Sequence, residues 1–316
     1  MSALFGSFSR SRAGASADWL GVHAGESSLL GAASLATKGR ESRPQIRLMS
    51  PAPVPAQSPS LRAWREACPK RVRANVILRS AEYRVLPVEP PEVAPEELRE
   101  AVRWQMADAL DFPAEDAAID LLTLPSHQAN ARGRYFLVAA PGEQVTAWVD
   151  RCKAADLRLG ALDIPEMAMR NLSVLAAGES AHAFLYVGIQ STRMALIWKR
   201  ELCSFRQLDV SGRQLAAATG EERESLIERL ALETQRTADS FSRQFSGVDL
   251  DALWLTSVFE PEALADSLSV MVPQRVKLFE LGAHVDIESG PASVVDMAQG
   301  RDYLLAIGAA LRQESG

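Results

Sequence analysis

The stretch Leu86–Pro125, LPVEPPEVAPEELREAVRWQMADALDFPAEDAAIDLLTLP, decides how the chain is read. Pro95 can take a first helical position, and Glu96 and Glu97 set negative charge against the positive end of a helix dipole. Leu98, Ala101, Val102, Met106, Ala109 and Leu110 recur at helical spacing, which predicts a helix over 96–110 with one buried face. Its apolar stripe is expected to centre near Gln105 and Ala109, which turns Trp104 outward among Arg103, Glu100 and Asp108. Pro113 disfavours helix in the residue before it, so the helix should end near Asp111-Phe112-Pro113, and Ile119–Leu124 then alternates as a strand.

Working outward, Val76–Leu86 reads as strand, Ser126–Arg134 as a polar loop, Tyr135–Ala140 as strand and Gly142–Asp156 as helix. Strand, helix, strand, strand, helix is the order of a small α+β unit inserted between Leu78 and about Leu157. Before it, Trp19–Ala36 gives two short strands around a Gly-Glu-Ser-Ser turn, and Met49–Ser60 is a proline-rich connection. Met1–Ala17 reads as a mobile tail, because Gly6 and four serines weaken any helix there. After it, a second hairpin begins at Ala183: AFLYV, the turn Gly188-Ile189-Gln190-Ser191, then RMALIW and LCSFRQL. Trp19–Ala33 and Phe184–Trp198 lay side by side as a weak internal repeat. Glu221–Phe245 is a long helix with Ile227, Leu230, Thr234, Thr237, Phe241 and Phe245 on one stripe. Strands near Leu253–Thr256 and Val276–Leu281 flank a helix over Pro261–Met271, and a last helix covers about Met297–Arg312.

At 316 residues, with 47% hydrophobic and 23% charged, the chain has room for two ordinary domains. Its sequence holds no run of apolar residues long enough to span a bilayer, and MSALFGSFSRSR lacks a secretory core, so a cytoplasmic chain is expected. Cys68, Cys152 and Cys203 are far apart with no CxxC pair, which suits a reducing compartment and offers no zinc spacing; Cys152 shares an apolar face with Val145, Trp148 and Val149. Net charge is −6, yet residues 1–80 carry 12 basic against 4 acidic residues, or +8, and the remainder 22 against 36, or −14. The basic part suits anionic lipid or an acidic partner, or pairs internally; the acidic bulk argues against general nucleic-acid binding.

The quoted stretch resembles the PilM family, and within it the MshI-like members of mannose-sensitive haemagglutinin (MSHA) pilus assembly. "LGALDIPEMAMRNL" (159–172), "RLALETQRTADSFSRQF" (229–245) and "YLLAIGAALR" (303–312) resemble the same family in the same order, and together these segments cover most of the chain after about Ile77. The resemblance implies an α/β actin-like fold, ribonuclease H-like and duplicated, with an inserted α+β subdomain of the PilM/FtsA 1C type. On this reading 1–17 is a tail and 18–79 starts the first half. The insert takes 80–157, 158–179 returns to the first half, 180–296 is the second half, and the helix over 297–316 packs back on the first.

In that family each half offers a hairpin turn to the phosphates of ATP. Glycines must let backbone N–H groups approach, an aspartate on each hairpin must hold magnesium or its waters, and a Gly-rich turn must admit adenosine. The first hairpin of active relatives resembles D-x-G-S-x-x-x-K; here the segment is His23-Ala24-Gly25-Glu26-Ser27-Ser28-Leu29-Leu30, with histidine for aspartate and leucine for lysine. The second resembles D-x-G-A and is matched by Tyr186-Val187-Gly188-Ile189, again without a carboxylate. Where a Gly-Gly-Gly turn would follow a strand stands Leu255-Thr256-Ser257-Val258-Phe259-Glu260-Pro261, and Glu26 would repel phosphate. The expectation is therefore a pseudo-ATPase with no catalytic residue, no metal site and no cofactor. Mg-ATP is not favoured, and Gly25, Ser27, Ser28, Gly188, Gln190, Ser191 and Thr192 are the groups left to hold an anion.

His23, His127, His182 and His284 have no neighbours at ligand spacing, and Glu115, Asp116, Asp120 and Asp163 read as solvated turns or helix caps with nothing nearby to raise a pKa. The resemblance implies a scaffold of a type IV pilus assembly platform, cytoplasmic and held at the inner membrane through a PilN- or MshJ-like protein. The segment of that protein would lie in a groove between insert and first half, and a homo-oligomer is compatible with such a role. The candidate contact surface is Trp104 with Arg103 and Glu100. The alternatives are an active ATP-binding actin-like ATPase and the cytoplasmic scaffold of a type II secretion system.

Overall fold

Apolar alternation on either side of Gly25 builds an antiparallel hairpin: β1 (Trp19–Ala24) pairs with β2 (Ser28–Leu35), with Leu20 opposite Ala33 and His23 opposite Leu30. These coordinates are a computed structural model that describes residues 19–25, 28–35, 43–53, 58–125, 134–288 and 301–312. The expected tail and the start of the last helix lie outside them. β3 (Gln45–Pro53) runs antiparallel to β2, and α1 (Ser58–Ala67) follows, burying Leu61 and Trp64. The end of β3 and the start of α1 fall within Met49–Ser60, where the sequence suggested a proline-rich connection. Pro53 ends its strand, where no ladder donor is missed, and the Trp64 indole N–H donates to the Ser50 carbonyl at 2.9 Å. β4 (Arg73–Ile77) then pairs parallel to β1.

The insert follows. β5 (Arg84–Val88), β6 (Ala117–Thr123) and β7 (Tyr135–Pro141) form an antiparallel three-stranded sheet in the order β5-β7-β6, with α2 (Leu98–Gln105) between β5 and β6 and α3 (Gly142–Ala154) after β7. α2 is shorter than the sequence implied: residues 95–97 form a turn ahead of it, and Ala107–Ala109 is a separate 3-10 turn. Its buried stripe also differs. Val102 is fully buried, with Leu98, Met106, Leu110 and Phe112 packed around it, whereas Gln105 and Ala109 are exposed. Gln105 instead donates to the Glu89 carbonyl at 3.2 Å, which a polar side chain at the edge of an apolar stripe readily does. In α3 the expected face Val145, Trp148 and Cys152 is buried.

β8 (Leu159–Asp163) returns parallel to β4, and α4 (Pro165–Ala177) follows it. The first sheet thus has the order β3-β2-β1-β4-β8, extended beside β3 by the short β14 (Asp286–Glu288). The second repeats the scheme with β9 (His182–Val187), β10 (Thr192–Trp198), β11 (Glu201–Leu208), β12 (Ala252–Ser257) and β13 (Val276–Leu278) in the order β11-β10-β9-β12-β13. Its helices are α5 (Gly212–Ala217), α6 (Gly220–Gln244), α7 (Pro261–Met271) and α8 (Leu281–His284). α6 buries Leu230, Thr234, Thr237 and Phe241 on the expected stripe.

The chain divides into two compact units: Met1–Ala168 with Ile287–Gly290 and Leu305–Gly316, and Met169–Asp286 with Pro291–Leu304. In the first, the end of α9 (Leu304–Ala310) lies directly on β1: a Cβ at Gly21 would stand 1.9 Å from the Ala306 carbonyl oxygen. A buried polar group ties it down. Asn75 Nδ2 donates to the Ala309 carbonyl at 3.0 Å and to Asp163 Oδ2 at 3.2 Å, and Arg312 donates to the same oxygen at 2.7 Å. Buried charge survives only with such pairing.

Candidate functional site

The two hairpin turns share one geometry. In the first unit the Gly25 N–H donates to the Ser28 carbonyl at 2.9 Å; in the second the Gly188 N–H donates to the Ser191 carbonyl at 3.1 Å. An added Cβ would lie 3.1 Å from the acceptor oxygen in both turns, closer than ordinary van der Waals contact, so glycine fits each reversal without a shift of the acceptor. Two residues before each glycine stand His23, partly exposed, and Tyr186, buried. Burial pushes the Tyr186 phenol well above its ordinary pKa, and the nearby Asp302 carboxylate pushes it further, so the group stays neutral. Asp302 was not foreseen, since it is far from the turn in sequence. Neither His23 nor Tyr186 can supply the acidic oxygens that a hard divalent cation prefers.

The backbone of the second turn is already engaged. The Gly188 and Ile189 carbonyls accept from the Gly212 and Arg213 N–H groups at 2.8 and 3.1 Å, where α5 begins. Ile189 and Gln190 are exposed, Ser191 is partly so, and Thr192 is buried with its hydroxyl unpartnered among the described residues. Ser27 and Glu26 lie outside the described residues, while Ser28 is partly exposed at the head of β2.

The link from β12 to α7 is filled by side chains. The Ser257 hydroxyl donates to the Phe259 carbonyl at 2.6 Å and accepts from the Phe259 N–H at 3.1 Å. Glu260 adopts φ 35°, a left-handed conformation that costs a non-glycine residue free energy, and it forms an ion pair with Arg223. The Arg223 guanidinium also lies 4.8 Å from the centre of the Phe259 ring. Among the described residues no group of three or more His, Cys, Asp or Glu side chains is placed to hold a metal ion, and no helix is long and apolar enough to cross a membrane.

On the insert, Trp104 is 55% exposed and its indole N–H donates to Glu100 Oε1 at 2.8 Å. Glu100 is exposed, but Arg103 points inward: it donates to the Ala114 and Ala117 carbonyls at 2.7 and 2.6 Å and to Glu100 Oε2 at 3.1 Å. Arg103 thus braces the turn after α2, and Trp104 with Glu100 forms the outer surface.

Two carboxylates read as solvated turns or helix caps prove to be buried. Asp163 is bonded by Asn75, Arg312 and the Ile164 N–H. Asp120 on β6 receives Arg99 at 3.0 Å and the Leu121 N–H at 2.9 Å, and its second oxygen has no partner among the described residues. Burial, the largest influence, outweighs both contacts and pushes Asp120 up to about 6. Glu115 and Asp116 are exposed, as a turn requires. Glu166 is also buried and accepts from the Tyr83 hydroxyl at 2.9 Å.

No protein-family model matches the chain, and no curated protein matches it in sequence. Solved structures do. One chain of the PilM-PilN type IV pilus biogenesis complex has a TM-score of 0.68 at 19% identity, covering 93% of this chain and 97% of that one. The cytoplasmic domain of EpsL, an inner-membrane component of the type II secretion system of Vibrio cholerae, has a TM-score of 0.51 at 14% identity, covering 94% and 97%. At such identities the likeness is one of fold. Together with two sheets of matching strand order, it establishes an α/β actin-like architecture carrying an inserted α+β unit.

Proposed function

We propose that the protein is a scaffold in the assembly platform of a type IV pilus or type II secretion machine, holding a segment of an inner-membrane partner and not turning over nucleotide. The observation that carries this reading is the likeness, along nearly the whole chain, to a component of a pilus complex that contains a bound partner. The finer reading is an MshI-like protein of an MSHA pilus, cytoplasmic and held at the inner membrane by a PilN- or MshJ-like protein. It draws support from the sequence segments of residues 86–125, 159–172, 229–245 and 303–312.

The pseudo-ATPase part is supported by residues. His23 and Tyr186 stand where a magnesium-binding hairpin needs carboxylates, and Phe259, Glu260 and Pro261 stand where an adenosine-binding turn needs glycines. Trp104 and Glu100 are the candidate contact, with Arg103 supporting them from beneath.

Fractionation tests the scaffold reading. The chain is expected with the membrane while its anchored partner is present and in the soluble fraction once that partner is deleted. Membrane recovery that is unchanged without any partner would contradict it. The type II secretion alternative is supported by the second likeness, and it predicts release on deleting a secretion component instead of a pilus component.

A further inference from the structure

The segment that carries α2 is strongly acidic. Residues 89–116 contain nine carboxylates, Glu89, Glu92, Glu96, Glu97, Glu100, Asp108, Asp111, Glu115 and Asp116, against two arginines, Arg99 and Arg103. This is a net −7 in a chain whose total is −6. All nine carboxylates belong to exposed residues. Ion pairs offset only part of this charge: Arg103 meets Glu100 at 3.1 Å while also donating to the Ala114 and Ala117 carbonyls, Arg84 pairs with Asp111, and Arg99 reaches the buried Asp120. Glu100 and Trp104 lie one turn apart on α2, opposite the Leu98, Val102 and Met106 stripe, and the exposed Glu96 and Glu97 stand in the turn just ahead of the helix. Trp104 is the exposed aromatic residue of this helix. Its N–H is held by Glu100, which fixes the ring, and more than half of its surface is open to solvent.

We infer that this face docks a basic segment of a protein partner, with the aliphatic stem and cationic head of a lysine or arginine lying over the Trp104 ring. An indole face attracts a cation, its apolar surface covers the methylenes behind that cation, and the surrounding carboxylates raise the local concentration of basic chain. Nucleic acid and anionic lipid are repelled by the same field. The inference deepens the scaffold reading, on which it rests for the presence of a protein partner.

The test uses the full chain and a short fluorescein-labelled peptide of alternating lysine and leucine, read by anisotropy at roughly 0.05 M and roughly 0.3 M salt. A glutamate-leucine peptide serves as the reference. Expected results are binding of the lysine peptide only, weakening with salt, about tenfold weaker binding for Glu97→Gln/Glu100→Gln/Asp108→Asn, and about fivefold for Trp104→Ala. A control triple in the second unit, Glu221→Gln/Glu222→Gln/Glu224→Gln, should change binding less than about twofold. Equal weakening by the control triple, or none by either α2 variant, overturns the proposal. So does a change from dimer to monomer in the α2 triple by sedimentation, which would make a second copy the occupant. Thermal melts verify that each variant folds. Failure here is separable from failure of the scaffold reading: a membrane partner retained by the α2 triple leaves the scaffold and removes this surface. Site-dependent peptide binding without any membrane partner does the reverse.

Discussion

The two sheets have the same strand order and are used differently. In the first unit β4 leads through residues 78–141 before α3 begins; in the second, β12 reaches α7 through residues 258–260 alone. One connection has become a small subdomain with a charged outer face, and the other is closed by Phe259 and a strained Glu260. Matched positions on the first strand of each sheet differ in the same spirit. Counting back from the turn glycines, Gly21 corresponds to Phe184. Gly21 is bare so that the backbone of α9 can lie on it, whereas Phe184 is fully buried edge-on against Phe279 at 5.1 Å. Duplicated strand order therefore fixes the frame, and the specific character of each unit comes from what is laid on it or inserted in it.

That contrast can be broken from both sides. Phe184→Ala should cost about 4 kcal/mol by leaving a cavity, and Gly21→Ala about 3 kcal/mol by forcing α9 off its strand. Urea denaturation measures both, and a tolerated Gly21→Ala would mean that α9 does not need this close seat. Arg312→Ala leaves Asp163 buried without its cation and should cost about 3 kcal/mol in the same assay, with Asp163→Asn/Arg312→Met recovering part of the loss.

Asp120 sharpens the comparison through pH. Its folded pKa is pushed up to about 6, above that of the unfolded chain, so the folded state holds the proton more tightly. Stability is then fully present at low pH and falls as the group ionises in the folded state. The native chain should lose on the order of 2 kcal/mol between about pH 4 and about pH 6 that Asp120→Asn does not lose. Parallel pH profiles for the two proteins would show that Asp120 is solvated. The smallest effect is expected at Trp104: Trp104→Ala should change stability by less than about 0.5 kcal/mol, because the ring packs little. A larger loss would make it a packing residue.

Much of this frame was legible in the sequence. Both hairpins, the long α6 and the order of elements in the insert follow from apolar period and glycine turns, signals that lie within a few residues. What was missed depends on distant partners. The end of β3 and the start of α1 looked like a proline-rich connection because pairing with β2 and the Trp64 bond to Ser50 leave no local mark. Asp163 looked solvated because its cation, Arg312, is 149 residues away. The stripe of α2 was displaced toward Gln105 because the helix ends there, and Leu110 and Phe112 reach the core from beyond it. At the hairpins, the residues two before each glycine could be read directly, whereas the Asp302 carboxylate beside Tyr186 could not.

The role proposed for this actin-like frame is docking, without nucleotide chemistry. Isothermal calorimetry of the purified full chain against millimolar Mg-ATP tests it most directly. No saturable heat is expected with or without magnesium, and saturable, magnesium-dependent binding abolished by Gly25→Val or Gly188→Val would overturn the proposal.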